Sequence, residues 1–167
     1  MGDRRRIFVG IAVIMLVMAG YAYYLMGHQA PAKITLDFPE TVVLNQEFTV
    51  PLKISTTQVM NAAEFYFSFP ADLIEVKSID KTSSIYGLWI TKYPKFDNKK
   101  GTISFAGGLP TPGFSGRDGL IASVHFIAKK AGTGTITLDQ DRSRVLANDG
   151  EGSEIESVFS AIKFSAR

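Results

Sequence analysis

The sequence has no cysteine among its 167 residues. This absence excludes a disulfide framework, a cysteine-based zinc site, a thiol nucleophile and a lipid anchor attached to cysteine. It does not exclude an oxidising compartment, because a chain of this length can bury enough apolar surface to fold without disulfides. The net charge is only +2, and three arginines stand together at Arg4, Arg5 and Arg6. The remainder is close to neutral, so the sequence lacks the broad basic field that binds nucleic acid.

Histidine is also scarce, since the chain has only His28 and His125. With one histidine outside the N-terminal region and no cysteine, few nucleophile–base pairs can form. The carboxylates gather in segments that are predicted to be loops, where solvent keeps their chemistry ordinary. We therefore expect a protein that is not an enzyme. His125 is expected to be a partly exposed residue of a sheet.

Residues 7–26 carry no charge, and they form the longest apolar run of the chain. A helix over this run would rise about 1.5 Å per residue and span about 30 Å, the thickness of a bilayer core. Tyr21, Tyr23 and Tyr24 lie at its far end, where aromatic residues favour the membrane interface, and the arginines are expected to stay cytoplasmic. The predicted organisation is a cytoplasmic basic stub at 1–6, a transmembrane helix or signal sequence at 7–26, a linker at 27–32 and one extracytoplasmic domain at 33–167.

Three interpretations of residues 7–26 stay open. A retained signal-anchor would leave the domain tethered to the membrane with its N-terminus inside. A cleaved signal peptide would release it as a secreted protein, and the small residues Ala30-Pro31-Ala32 support a cut there. A buried soluble helix is the third.

From Lys33 onward the chain predicts short strands separated by turns, and no helix. The clearest strand begins the stretch Asn61–Val76, where Ala63, Phe65, Phe67 and Phe69 alternate with polar residues. Pro70-Ala71-Asp72 then predicts a tight corner. Other runs are predicted at 34–38, 48–54, 73–79, 86–93, 102–106, 120–128, 135–138 and 158–164, and a Gly/Pro-rich loop at 107–119. About nine short strands predict an all-β fold, an antiparallel sandwich with jelly-roll topology.

The polar segment 139–156 contains a candidate metal site. Calcium takes six to eight oxygen ligands, largely from loops. The candidate ligands are Asp139, Asp141, Asn148 and Asp149. The spacing does not match an EF-hand, and the alternative is a solvated polar loop. No other cofactor is expected.

Trp89 and Tyr93 are candidates for contact with a carbohydrate. They are four residues apart in the predicted strand 86–93, so they would share a face. Coplanar aromatic rings on a flat sheet can hold a glycan. The alternative is that Trp89 packs in or beside the core. Phe114, in the Gly/Pro-rich loop, would be an exposed contact or a plug.

Four segments in this order resemble the cohesin family, extracellular jelly-roll modules related to the family 2 and family 3 carbohydrate-binding modules. They are the early strand EFTVPLKIS at 47–55, the aromatic strand and Pro/Asp corner at 61–76, GLIASVHFIAKK with Ala-Gly-Thr at 119–133, and VLANDGEG at 145–152.

The resemblance implies a non-catalytic module that recognises another protein. Cohesins bind dockerins, which are paired-helix calcium modules, and they use the outer face of one sheet. The outward residues implied here are Glu64, Tyr66, Ser68, Thr102, Ser104, Ile121, Ser123, His125 and Ile127. The alternative function is binding of a polysaccharide.

Overall fold

The structure is a computed structural model that describes residue 8 and residues 10–11, 13–21 and 29–167. The chain divides into two compact units, residues 1–30 and residues 31–167. In the first unit, the described residues from Phe8 to Tyr21 are helical and expose large apolar side chains. Within the described ranges, no helix has both the length and the apolar character needed to cross a membrane. The predicted span at 7–26 lies partly outside the described residues.

The second unit is built of strands, as predicted, but it has thirteen of them in the described part rather than about nine. The additional strands are very short, and a segment of two residues is too short to show a period in the sequence. The strands are β1 Ala32–Leu36, β2 Thr41–Val42, β3 Glu47–Ser68, β4 Ile74–Asp80, β5 Leu88–Trp89, β6 Lys95–Asp97, β7 Thr102–Gly108, β8 Phe114–Ala128, β9 Gly132–Leu138, β10 Arg144–Ala147, β11 Glu154–Ile155, β12 Ser157–Val158 and β13 Ile162–Ala166.

Strand β3 joins two runs that the sequence predicted as separate strands, 48–54 and 61–69. Residues 55–60 contain neither glycine nor proline, so nothing ends the strand between the two runs. The register with β8 shifts instead between Ile54 and Thr56 and again between Thr56 and Met60. These irregularities let one continuous strand take part in two sheets.

The two halves of β3 have different neighbours. The first half lies between β1 and β8 and gives a first sheet in the order β12-β1-β3-β8-β4. The second half lies between β10 and β7 and gives a second sheet in the order β11-β10-β3-β7, with β5 and β6 on the far edge of β7. A ladder of β9, β13 and β2 adjoins the end of β3 through β9. The pairs are antiparallel except β1–β12 and β13–β2.

Phenylalanine rings fill the space between the layers. The predicted inward residues Ala63, Phe65, Phe67 and Phe69 are all buried, which confirms that part of the prediction. Phe69, which follows β3, packs edge-on against Phe126 of β8 at 5.9 Å between ring centroids. The predicted corner is also confirmed, because the backbone N–H groups of Leu73 and Ile74 both donate to the Pro70 carbonyl, at 3.0 and 3.1 Å.

The predicted loop at 107–119 is mostly wrong. Strand β7 continues to Gly108 and β8 begins at Phe114, so only residues 109–113 connect them. The glycines serve close packing within the strands. A Cβ on Gly107 would lie 2.4 Å from the Tyr86 ring, and one on Gly119 would lie 2.5 Å from the Phe114 ring. Phe114 is therefore half-buried against the core, in the manner of a plug.

Candidate binding face

The predicted binding residues do not share one face. Glu64, Tyr66, Ser68, Thr102 and Ser104 lie on the outer surface of the second sheet, which we call the second outer face. Ser123, His125 and Ile127 lie on the outer surface of the first sheet, the first outer face. The outer surfaces of the two layers of a sandwich point away from each other. The prediction of a single surface is therefore wrong, because β8 pairs with the first half of β3 and β7 with the second.

Ile121 lies on neither face, since it is 0% exposed. Leu52 pairs with Ala122 and the next residue, Lys53, pairs with Leu120, so Ile121 is the extra residue of a bulge. A bulge breaks the alternation of side chains, and here it turns Ile121 into the core. A simple period of two cannot reveal such a residue.

The second outer face has a hydrogen-bonded cluster at its centre. The Tyr66 hydroxyl donates to Glu64 Oε1 and lies 3.0 Å from the Tyr93 hydroxyl. Tyr93 donates to the same carboxylate oxygen at 3.3 Å. The bond with Glu64, then the bond with Tyr93 and then burial raise the pKa of Tyr66 well above its usual range. The cluster therefore holds two phenols and one carboxylate in fixed positions.

The loop between β9 and β10 covers one side of this cluster. Its backbone is attached to β3, because Asp139 N donates to the Tyr66 carbonyl at 2.8 Å and Tyr66 N donates to Ser143 Oγ at 3.0 Å. The Arg142 guanidinium consequently lies 4.0 Å from the centre of the Tyr66 ring, a cation–π contact. Arg142 is a site residue that the sequence reasoning missed, and no periodic pattern in that loop pointed to it.

An apolar stripe crosses the same face beside the cluster. The register places Leu88 opposite Gly108, Gly108 opposite Ala62, and Ala62 opposite Leu146. Residues opposite one another on antiparallel strands project from the same side, so this row runs across four strands. Leu88 is 66% exposed. The sequence reasoning missed the stripe, although Leu88 belongs to an alternating run and Leu146 to an apolar patch.

A groove lies on the other side of the cluster and has a volume of about 420 Å³. Its walls are β6 and the β9–β10 loop, and residues of β3 and β7 form its floor. Lys95, Lys100 and Arg142 bring positive charge to it, Asp97 and Asp139 bring negative charge, and Ser104 lies between Lys95 and Tyr66 in the register. Ser104 is only 5% exposed, so strand neighbours cover much of this predicted contact residue.

The first outer face is polar and its charges are paired. His125 Nδ1 lies 3.1 Å from Thr49 Oγ1 and 3.3 Å from Glu47 Oε1. Lys53 pairs with Asp37 at 2.5 Å, and Lys129 with Glu75 at 3.7 Å. His125 is half-buried in a strand, which agrees with its predicted place in a sheet.

Trp89 and Tyr93 do not form the predicted flat platform. Strand β5 ends at Trp89 and a turn follows, so the period of two does not continue to Tyr93. Trp89 faces the core and meets Tyr86 edge-on at 5.0 Å, whereas the Tyr93 hydroxyl joins the Glu64 cluster. The two rings have separate partners and structural roles.

The candidate calcium ligands also lie apart. Asp139 and Asp141 precede β10, and Asn148 and Asp149 follow it, so the length of a strand of four residues separates the pairs. At about 3.3 Å per residue that distance is about 13 Å, far beyond the roughly 2.4 Å of a calcium–oxygen bond. Asp149 instead accepts hydrogen bonds from the backbone of its own loop. In the part of the chain that the structure describes, no group of three or more metal-binding side chains is placed to hold an ion.

Comparison with known proteins gives similar structures and one family. The cohesin module of a family 33 glycoside hydrolase from Clostridium perfringens is 14% identical, with 83% of this chain and 98% of that chain covered and a TM-score of 0.63. A cohesin of a type I cohesin–dockerin complex from Clostridium thermocellum is 11% identical, with 83% and 100% covered and a TM-score of 0.64. The third ScaC cohesin of Acetivibrio cellulolyticus, solved with the ScaB dockerin, is 16% identical, with 81% and 98% covered and a TM-score of 0.61.

At these identities the similar structures establish the fold, an all-β sandwich of the cohesin type. No curated protein matches the chain. The cohesin domain is a non-catalytic protein-binding module, which agrees with the expectation that this protein is not an enzyme. The family model for the cohesin domain matches residues 33–165, and the chain therefore belongs to the cohesin family.

Proposed function

We propose that this protein is an extracytoplasmic recognition module that binds a dockerin-type protein through its second outer face. The observation that carries the proposal is the apolar stripe from Leu88 to Leu146 beside the Tyr66 cluster. Protein interfaces combine an apolar centre, aromatic and arginine side chains, and a polar rim. Arg142 on Tyr66 and the exposed Leu88 supply these features on the second outer face.

Several similar cohesins have been solved as complexes with dockerins, including those from Acetivibrio cellulolyticus and Clostridium thermocellum. These complexes support a dockerin as the class of partner to test first. The first outer face is a poorer candidate, because its charged groups already pair with one another. A polysaccharide is also a poorer candidate, since Trp89 and Tyr93 form no common platform.

The test is a binding measurement on the full chain, purified in a neutral detergent, against a panel of calcium-loaded dockerins and a glycan array. We expect at least one dockerin to bind. Leu88→Asp and Leu146→Asp should each weaken that binding at least about tenfold, because a charge would replace an apolar contact at the centre of the interface.

Val43→Asp is the matched control. Val43 is 50% exposed and lies beside β2, away from the second outer face. This variant should bind like the wild type. The proposal would be contradicted if the protein bound a glycan and no dockerin. It would also be contradicted if Val43→Asp and Leu88→Asp weakened dockerin binding equally.

The proposed location is the outer side of a membrane, with residues 7–26 as the tether. Its support is the charge-free run that follows three arginines. After cell fractionation, the full chain should sediment with membranes and stay there after alkaline carbonate washing. An N-terminus that begins near Ala32 in the mature protein, together with recovery from the medium, would establish the secreted alternative.

A further inference from the structure

The charges of the β-sandwich unit are distributed unequally. Residues 81–100 carry five lysines and one aspartate, whereas the rest of residues 31–167 carries ten cationic and fourteen anionic side chains. The segment thus has a formal charge of +4, and the rest of the unit has a formal charge of −4. It contains β5 and β6, which form one edge of the second outer face. Such a local excess attracts an anionic partner toward this edge.

The groove between β6 and the β9–β10 loop lies at this edge. Lys95 is opposite Ser104 in the register, so their backbones are about 5 Å apart. Lys100 enters from the turn between β6 and β7, and Arg142 from the opposite wall. Three cations therefore line one groove above a floor of strand residues, and one of them, Arg142, lies 4.0 Å from Asp139.

The two carboxylates in the groove are already engaged by the backbone. Asp97 accepts hydrogen bonds from the N–H groups of Lys99 and Lys100 at 2.9 and 3.0 Å, and Asp139 accepts one from Arg142 N at 3.2 Å. Neither Lys95 nor Lys100 forms an ion pair with any residue that the structure describes. Lys95 Nζ lies 5.4 Å from the centre of the Tyr93 ring, a cation–π contact, and no carboxylate of the described residues pairs with either ammonium group.

A serine on the floor of the groove supports the same ligand chemistry. Within the described part of the chain, the buried polar side chains are Thr56, Ser104 and Ser143. Thr56 and Ser143 have hydrogen-bond partners in the backbone, whereas the Ser104 hydroxyl has none among the described residues. Among those residues no side-chain polar atom that is itself buried lacks a partner, so the Ser104 hydroxyl is open to the groove. Ser104 is 95% buried and lines the groove. A hydroxyl of this kind, held on the floor of the groove, can donate a hydrogen bond to a carboxylate that a ligand supplies.

Resting on the proposed function, we propose that the groove receives carboxylate side chains from an acidic segment of the protein partner. Lys95 and Lys100 pair with these carboxylates, and the Ser104 hydroxyl donates a hydrogen bond to one of them. The apolar stripe binds the partner's apolar residues, so the two zones fix its direction across the sheet. Electrostatic complementarity of this kind mainly sets specificity and the rate of association.

The first experiment uses a probe that does not depend on any dockerin. The full chain in neutral detergent is titrated with a soluble peptide of glutamate and alanine, and with its glutamine counterpart. We expect the glutamate peptide to bind and the glutamine peptide not to bind. Raising the salt from about 50 mM to about 300 mM should weaken binding, because exposed charges are then screened.

Substitutions in the groove test whether the peptide binds there. Lys95→Glu combined with Lys100→Glu should weaken peptide binding by at least about tenfold, and Ser104→Ala by about threefold. Lys163→Glu is the control, because Lys163 is an exposed lysine on β13, outside the groove. It should bind the peptide like the wild type, and each variant should melt cooperatively near the wild-type temperature.

Three outcomes would overturn the inference. One is equal binding of the glutamine peptide. Another is inorganic phosphate that occupies the lysine site while the peptide does not compete, which would indicate a site for free anions. The third is lysine-dependent binding to vesicles with about 30 mol% phosphatidylserine in place of peptide binding, which would indicate a lipid surface. If the peptide binds and no dockerin does, only the proposed function is refuted. If a dockerin binds with the same affinity to the wild type and to the lysine variants, only this inference is refuted.

Discussion

The two outer faces of the sandwich share one strand but differ in what their side chains leave unpaired. On the first outer face, Lys53, His125 and Lys129 each have a carboxylate within 3.7 Å. On the second, Arg142 and Arg144 also pair with carboxylates, at 4.0 and 3.7 Å, but Leu88 is exposed and Lys95 and Lys100 lack ion pairs among the described residues. A surface that pairs its own charges gains little from a partner, because a partner would have to break those pairs. Family membership alone does not distinguish the faces, whereas this difference does.

The largest expected effect comes from removing the ring that connects the two layers. Phe126 lies on β8 in the first sheet and contacts Phe69, which follows the second half of β3. It is 2% exposed and also packs on Phe38 and Phe48. Phe126→Ala should lower the free energy of unfolding by about 3–5 kcal/mol. Urea unfolding followed by fluorescence measures this change.

Phe96→Ala is the matched control for that truncation. Phe96 is 40% exposed, so its loss should cost less than about 1 kcal/mol. In Phe126→Ala the two sheets should also unfold together, in a single transition. Unfolding in two steps, with one face retained in the first, would show that the sheets are independent units.

The second prediction compares one truncation on each face. Arg142→Ala removes a cation of the groove and the cover of the Tyr66 ring, and it should weaken partner binding about tenfold. His125→Ala removes a side chain from the first outer face, where it is 27% exposed, and it should change affinity by less than about twofold. Titration of both variants with the same dockerin measures the difference. The reverse order of effects would move the interface to the first outer face.

The sequence predicted which residues are buried between the layers better than it predicted which residues share an outer face. Alternation placed Phe65 and Phe67 in the core, and proline and aspartate located the corner at 70–72, because these signals are local. The assignment of β7 and β8 to different sheets is not local. It depends on a change of partners along β3, in a segment without glycine or proline. The bulge at Ile121 and the place of Arg142 over Tyr66 likewise depend on pairing between distant segments.

The third prediction concerns the cluster at the centre of the second outer face. Tyr66→Phe removes the hydrogen bond to Glu64 and should lower the free energy of unfolding by about 1 kcal/mol at neutral pH. The fold raises the pKa of Tyr66, so this stabilisation is complete below the ordinary tyrosine pKa of about 10 and declines as the pH rises above it. Urea unfolding at several pH values should show the difference between variant and wild type narrowing above about pH 10.

Tyr93→Phe provides the comparison within that cluster. Its hydroxyl is 3.3 Å from the same Glu64 oxygen, near the upper limit for a hydrogen bond, so its removal should cost less. If Tyr93→Phe cost as much as Tyr66→Phe, the two phenols would support the carboxylate equally. The expectation that Tyr66→Phe is the more destabilising of the two changes would then be wrong.

The smallest expected effect lies in the loop after β10, the strand that presents Arg144 and Leu146 to the second outer face. Hydrogen bonds from Ser153, and from the backbone N–H groups of Glu151 and Gly152, lower the pKa of Asp149 to about 2. Because the folded-state pKa is lowered, the stabilisation is complete above the unfolded-state value of about 4 and is lost as the pH falls toward 2. Asp149→Ala should therefore lower the melting temperature slightly at pH 7, and the difference should vanish near pH 2.

Asp141→Ala, in the preceding loop, is the control for that change, and calorimetry at both pH values compares the two variants. Dockerin affinity should change by less than about twofold in Asp149→Ala, because the β10 register is also held by its ladder with β3. A large loss of affinity, with little change in melting temperature, would mean that the loop itself contacts the partner. The second outer face would then extend beyond β10 to include it.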